Sequence, residues 1–598
     1  MIKSPGRGDL GGSEGAFEGE SAPHKLAEMR AAGPRTDPQN AAPMNLEQAG
    51  ADLRRLAVAA RGEPPAGSCE TAPQSGANAA EKELAGAEKH ESGAHRTGVS
   101  VMARLKRFPG QLLGVNPFSG DIEVERLPTM RFGASTIANL HNPLKILDRA
   151  FACGSDFSYL DVPGFSPIMF LSDPEMAREI LVQTAHKGDF ERDSLTTQGI
   201  KRVTGAESLL TVNDDAWRAQ KAALAPVFGG RAVHTPEVYA ELDEIISSQL
   251  IDNLARYIPA RGDATLELES KIKVAALEIL QTNLFGGTIS REELKEKFLP
   301  SIERGINYIF LDTFMNPLGI SLLRMPTLSN WHAQLKRDYH VCEELVDNTL
   351  EAMKSGRGFW DHLTVKQLAD LDTFKSLEPA IRANIKTILA GALEGTASYM
   401  GFVIKALGDN PRVQAKLFRE IRANPDIKPE DRAMLPYLEN FLLEVGRLYS
   451  PLYIIPRISK KDVSVTTSKG TLNIPAHTHI IIAAYHMNRS ERHWGVEATG
   501  YPADQLVPER WDDDSMRRHN RSKNDNLTFT WGHGPRACSG KTYGQVELRI
   551  GTRRAVENYY FTAADKNVPI TAGIATRTAD RFKTTVRFRA GKGARREE

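Results

Sequence analysis

A mainly α protein with small antiparallel β-sheets, folded as a single large domain, is what the sequence predicts. Three observations carry this. From about residue 125 to the end, apolar residues recur mostly at spacings of three and four, the period of a helix. Alternation at period two is confined to short stretches bounded by turn residues. No βαβ alternation, Gly-rich phosphate loop or internal repeat interrupts the pattern.

The first 105 residues are expected to be a disordered extension, with the folded domain over 106–598. Of 43 Phe, Trp and Tyr residues, the first hundred positions hold one, Phe17. Such a segment cannot bury enough apolar surface to offset its ordering entropy. Further on, Ser172-Asp173 before Pro174-Glu175 reads as a helix start, with proline and acid in the first turn. Helical spacing from Leu266 to Phe285 stops at Gly286-Gly287. A long helix is expected from Pro379 to Gly408, ~45 Å at 1.5 Å per residue, enough to cross a domain. Another follows Pro411, and one more runs from Pro436 to Leu448. The period then switches. Val463 and Val465 alternate, Ser468-Lys469-Gly470 turns the chain, and Leu472 and Ile474 alternate again. Phe582, Val586 and Phe588 suggest a last strand.

Composition excludes several function classes. Lys and Arg number 76 against 75 Asp and Glu, a net charge of +1, which argues against a nucleic-acid binder. The four cysteines, Cys69, Cys153, Cys342 and Cys538, are too few and scattered for a disulfide scaffold and fit a reducing compartment. No run is expected to reach the ~18 apolar residues of a membrane span. The N-terminus shows no apolar core of a secretory signal, so a soluble cytoplasmic protein is the expectation.

The informative stretch is Phe529-Thr-Trp-Gly-His-Gly-Pro-Arg-Ala-Cys-Ser-Gly-Lys541. Gly532, Gly534 and Gly540 allow positive φ and close backbone approach around Cys538. A thiolate needs donated hydrogen bonds and nearby positive charge. Backbone amides beside glycines supply the first, and Arg536 supplies a fixed charge that can also fork onto a carboxylate. A helix beginning after Gly540 would set its dipole behind the sulfur. A soft axial anion of this kind is the ligand of haem-thiolate iron.

Trp531-Gly532-x-Gly534-x-Arg536-x-Cys538-x-Gly540 resembles the haem-binding loop of the cytochrome P-450 superfamily. It departs at Ser539, where the family usually has an apolar residue or proline. Glu444-Val-Gly-Arg447 matches the family's Glu-x-x-Arg, and a spacing of three puts both on one helix face. Pro508-Glu-Arg-Trp511 matches a later segment, in which Arg510 would complete a buried cluster with Glu444 and Arg447. Trp217-Arg218-x-x-Lys221 resembles the helix that reaches a haem propionate, with lysine in place of the usual arginine. Arg457 matches a strand arginine that pairs with a propionate. The resemblance runs from about Asn142 to Phe588 and implies haem b held through Cys538.

In that family the long central helix carries small-Gly-x-acid-Thr. Here Gly391-Ala-Leu-Glu-Gly-Thr396 puts Glu394 at the acid and Gly395 at the threonine, with Thr396 turned about 100° further round the helix. Glu394 with ordered water, or Thr396, would then deliver the protons that O–O cleavage requires. Ala392, Leu393, Leu452, Tyr453 and Ile454 are expected to line an apolar pocket, together with part of Gly305–Leu323. The implied activity is monooxygenation of a lipophilic small molecule, with electrons from a separate ferredoxin- or flavodoxin-type donor. Two other readings stay open: a peroxygenase, dehydratase or isomerase needing no external reductant, and a haem-thiolate sensor without turnover. Basic residues before and after the loop, Arg517 to Lys523 with Lys541, Arg549, Arg553 and Arg554, would offer an acidic donor a docking face.

Overall fold

The computed structural model describes residues 101–128, 142–186, 188–192, 198–315, 329–354, 371–425, 427, 435–521 and 527–590. The expected disordered stretch lies outside them as far as residue 100. Its C-terminal boundary is crossed by a helix, Val101–Leu112.

The largest core is helical. At its centre runs Leu371–Asp409, which begins eight residues before the expected start. Pro379 lies inside this helix. A proline removes one backbone donor and usually ends or kinks a helix, which is why it reads as a start in the sequence. Against the central helix packs Glu269–Ile279, continued by a π-helical turn, Leu280–Leu284. The single helix expected from Leu266 to Phe285 is therefore shorter. Leu266 ends a strand, Ala264–Leu266, that pairs with Thr584–Val586. Three residues are too few for alternation to show in the sequence.

One expectation about membranes needs correction. Glu378–Asp409 is long and apolar enough to cross a membrane by length and composition, with mean hydropathy 1.3 in its best window. Most of that window, 61%, is buried inside the protein. Its apolar residues, among them Ile385, Leu389, Leu393, Phe402 and Val403, belong to the helical core.

Among the described residues three of the four sheets are antiparallel as expected, and the six-stranded one is mixed. Six strands order as Glu125–Arg126, Phe157–Leu160, Ile168–Leu171, His479–Ile482, Ile455–Ser459 and Phe190–Glu191. The first two pair in parallel, as do Ile168–Leu171 and His479–Ile482. These last two strands lie some three hundred residues apart, so no local pattern announces the pairing. The hairpin Val463–Thr467 and Gly470–Ile474 turns through Ser468-Lys469, with Gly470 at φ 122°. Val463, Val465, Leu472 and Ile474 face a second core. Near the C-terminus, Phe582 precedes the strand Thr584–Phe588 instead of joining it. It sits at φ 58° and meets Phe402 edge-on, with ring centres 5.0 Å apart. Gly401 makes room for its ring, since a Cβ there would come within 2.5 Å of it.

Candidate active site

The cysteine loop is shaped by two glycines. Gly532 and Gly534 have φ of 72° and 71°. A Cβ on Gly534 would stand 3.0 Å from the Leu181 carbonyl oxygen, so no side chain fits between the loop and the helix Pro174–His186. Cys538 N–H donates to the Trp531 carbonyl at 2.9 Å and closes the bend. Gly540 differs from the expectation. Its φ is −81°, and it serves as the N-terminal cap of the helix Lys541–Asn558.

Cys538 lies deep in the fold yet keeps an accessible side chain. Burial pushes its thiol up. The Gly540 N–H and the charges of Lys221, Arg192 and Lys541 oppose that shift. Metal coordination deprotonates a thiol outright, and this donor set suits the resulting anion.

Beside it stands a group of guanidiniums. Arg457 is 1% exposed, and burial together with Arg192 and Arg536 holds it well below the ordinary arginine range. Arg536 is pulled down to about 9 by burial and by Arg192. Its Nη2 donates to Val212 O at 2.9 Å and Asn213 Oδ1 at 3.1 Å, and its plane lies 4.6 Å from the Trp217 ring centre. Among the described residues its Nε and Nη1 are buried with no partner. Crowded cations with two orphaned donors on one fork fit a bound carboxylate. Arg192 was missed in the sequence. The two-residue strand Phe190–Glu191 carries it next to Ile458 and Ser459, and that pairing leaves no local signal. Lys221 donates not to this group but to Ser539 Oγ, at 2.8 Å.

On the central helix, Glu394 is ion-paired. Lys273 Nζ lies 2.7 Å from Glu394, 2.9 Å from Glu303 and 3.1 Å from Glu269. Burial alone would lower the lysine, but the three carboxylates outweigh it and hold Lys273 above its ordinary range. Thr396 Oγ1 lies 3.5 Å from Glu547 Oε2 on the helix after the cysteine. Neither Lys273 nor Glu547 was singled out in the sequence, because each is chemically legible only through its spatial neighbour. Gly391 and Gly395 share one face four residues apart, and a Cβ on either would meet nothing within 4 Å among the described residues. Ala392 is half-buried, whereas Leu393 is wholly enclosed in the core rather than presented to a pocket. Leu452 is exposed and Ile454 partly so, while Tyr453 between them turns into a separate apolar cluster. Residues 316–323 of the other expected pocket segment lie outside the described residues.

Glu547 makes a prediction. Burial pushes its carboxyl up from 4.5 to about 7, with Thr396 opposing. Between those values the folded protein holds a proton that the unfolded chain releases. This group's contribution is thus fully present below pH 4.5 and is lost as pH rises towards 7. The loss is about 3 kcal/mol. Glu547→Gln is expected to remove that slope and to be the more stable form at pH 8. Denaturant midpoints of both proteins from pH 5 to 8 check it, and parallel curves would refute it.

The Glu444 cluster is fully buried. Arg447 forks onto Glu444 at 2.9 and 2.8 Å, Arg510 Nε donates at 3.2 Å, and Trp511 Nε1 donates at 2.9 Å. Burial would raise the Glu444 carboxyl, but the two arginines win and hold it below the ordinary range. Arg447 also donates to the Asn488 carbonyl at 2.9 Å, and Asn488 Oδ1 accepts from Phe529 N–H at 3.0 Å. Thr530 Oγ1 donates to the Gly446 carbonyl at 2.7 Å. The cluster and the cysteine loop are thereby joined twice.

A family model described as Cytochrome P450 matches residues 141–582, most of the chain. It belongs to the cytochrome P450 family. Among its relatives, Cytochrome P450 3A6 of Oryctolagus cuniculus is 22% identical over 426 residues, 69% of this chain and 80% of that protein. Cytochrome P450 3A16 of Mus musculus is 24% identical over 67% of this chain and 77% of its own. Probable cytochrome P450 6d5 of Drosophila melanogaster is 24% identical over 68% and 82%. The P450 family comprises haem-thiolate monooxygenases that bind iron protoporphyrin IX, take lipophilic substrates and work with a redox partner. The site fits that cofactor: Cys538 would hold the iron, and Arg457, Arg536 and Arg192 would receive the propionates.

Four residues of the expected basic docking face have polar partners within the fold. Arg549 pairs with Glu439, Arg553 with Glu557, and Arg554 with Asp243 and Glu557. Arg517 donates to the Trp511 carbonyl and to Asn440 Oδ1, both at 2.7 Å. The side chains of residues 518–521, and Lys523 as a whole, lie outside what the structure describes.

Proposed function

We propose that this P450 is a monooxygenase that oxidises a lipophilic small molecule, using O2 and electrons from a separate ferredoxin- or flavodoxin-type protein. When bound, the haem supplies the oxygen-activating chemistry. The observation that carries the reading is the Thr396–Glu547 contact, because oxygen activation consumes protons and the usual threonine position is Gly395. A buried carboxyl with a pKa pushed up to about 7 can hold a proton at neutral pH and pass it to the Thr396 hydroxyl. Glu394 is tied to Lys273 and acts through that lysine as an anchor for the central helix. Leu452, Ile454, Ala392 and the side-chain-free face at Gly391 and Gly395 supply an apolar surface for substrate.

A second reading rests on Gly395 itself. With no hydroxyl there, a peroxide-driven enzyme would need no proton route from Thr396. Purified haem-loaded protein is incubated with a lipophilic substrate chosen by its shift of the haem spin state. Product is then compared with reductant plus ferredoxin or flavodoxin, and with hydrogen peroxide alone. Turnover only with the donor supports the monooxygenase; equal or faster turnover with peroxide alone overturns it. Thr396→Ala is expected to cut product formed per electron consumed by about 100-fold, at the lower end of what general acid–base catalysis contributes. Gly395→Thr should fold normally, since none of the described residues lies within 4 Å of its Cβ position, and should restore part of that coupling in the Thr396→Ala background. Unchanged coupling in Thr396→Ala would remove Thr396 from the proton route.

A further inference from the structure

This chain departs from the P450 haem-binding pattern at two positions, Lys221 for arginine and Ser539 for an apolar residue. In the folded protein the two departures touch. Lys221 Nζ donates to Ser539 Oγ at 2.8 Å across 318 residues of sequence. Lys221 lies one helical turn after Trp217 and is half-buried, and its charge acts on Cys538, the residue next to its hydrogen-bond partner. An apolar residue at 539 would deprive that half-buried ammonium of this acceptor. Carboxylate binding does not need Lys221, because the two orphaned donors of Arg536 stand beside Arg457 and Arg192.

We propose that Lys221 and Ser539 form one positioning unit that withdraws electron density from the Cys538 sulfur and makes the iron it would ligate easier to reduce. The proposal rests on the haem-thiolate reading above. Reduction adds one electron, supplied by the donor protein, and makes the iron–sulfur unit more negative by one charge. A fixed cation close by favours the more negative form, most strongly where water is scarce. The ammonium also polarises the Ser539 hydroxyl, and hydrogen bonding and charge around a ligand sulfur are established levers on the potential of the metal it holds. Lys221 thus serves the sulfur side of the site and leaves the propionates to the three arginines.

The test uses the full haem-loaded chain as wild type, Ser539→Ala, Ser539→Thr, Lys221→Met and the Ser539→Ala/Lys221→Met double variant. Spectroelectrochemical titration gives the ferrous-to-ferric ratio at a fixed applied potential, and resonance Raman gives the iron–sulfur stretch. Ser539→Ala and Lys221→Met are each expected to lower that ratio roughly tenfold, equivalent to 59 mV for a one-electron couple. The iron–sulfur stretch should rise in both. Ser539→Thr should keep wild-type values, and the double variant should fall no further than the lower single, as befits a unit. An unchanged ratio and stretch in Ser539→Ala would overturn the proposal. So would a Lys221→Met protein that loses haem more readily at an unchanged ratio, which would make Lys221 a propionate partner. In both cases a wild type with a thiolate-type Soret band leaves the family reading intact, whereas a wild type lacking that band would sink the reading itself.

Discussion

Cys538→Ala is expected to abolish the thiolate-type Soret band of the reduced, carbon-monoxide-bound protein and to cut turnover by more than about 100-fold. The magnitude follows from hierarchy. Losing a residue that only supports a metal ligand costs about 10- to 100-fold in activity, and Cys538 would be the ligand itself. The bend that carries it is fixed by backbone contacts, namely Cys538 N–H to Trp531 O and the close passage of Gly534 against Leu181, so the alanine protein should still fold. The measurement is the difference spectrum, with far-ultraviolet circular dichroism as the folding control. A thiolate-type band that survives in a folded Cys538→Ala protein would end the assignment of this residue.

The largest effect on stability is expected from Glu444→Ala. It removes the one carboxylate shared by Arg447, Arg510 and Trp511, all at most 1% exposed. Two guanidiniums would remain buried without their counter-charge. Breaking a buried pair from one side typically costs about 3–5 kcal/mol, a large fraction of a typical folding free energy. Poor soluble yield is the first expected sign, and a lowered urea midpoint in whatever folds is the second. Arg447→Lys, which keeps the charge but loses the fork, should fall between the wild type and Glu444→Ala. The carboxyl held low has a further consequence. Its stabilisation is present above the ordinary glutamate range and is lost as pH falls through the depressed folded value, which adds to acid unfolding. A Glu444→Ala protein within about 1 kcal/mol of wild type would show that the cluster contributes little, as exposed pairs do.

What the sequence discloses about this site follows from how local each feature is. The cysteine bend is written in thirteen consecutive residues, and Gly532 and Gly534 adopt the positive φ their positions imply. Glu444 and Arg447 share a helix face, which a spacing of three already reveals; their complete burial does not show in that spacing. Lys221 and Ser539 stand out separately as departures, but their contact spans 318 residues and is a product of folding. Arg192, Lys273 and Glu547 carry no signature, because a lone ionisable residue in a chain with 25% charged residues resembles any surface group. The same holds for the fold. Helices of ten or more residues declare their period, whereas the strand Ala264–Leu266 and the parallel pairing of Ile168–Leu171 with His479–Ile482 do not.

The double tie between the Glu444 cluster and the cysteine loop bears on how the protein opens. Phe529 N–H is held by Asn488, whose carbonyl is held by Arg447, and Thr530 is fastened to the backbone at Gly446. Local openings that release the loop alone are therefore disfavoured, and the amide protons of Phe529 and Cys538 should exchange with deuterium only through the same large-scale event that exposes the backbone of Pro436–Leu448. Opening of the cysteine loop and opening of the Glu444 helix would then be a single kinetic process in this enzyme.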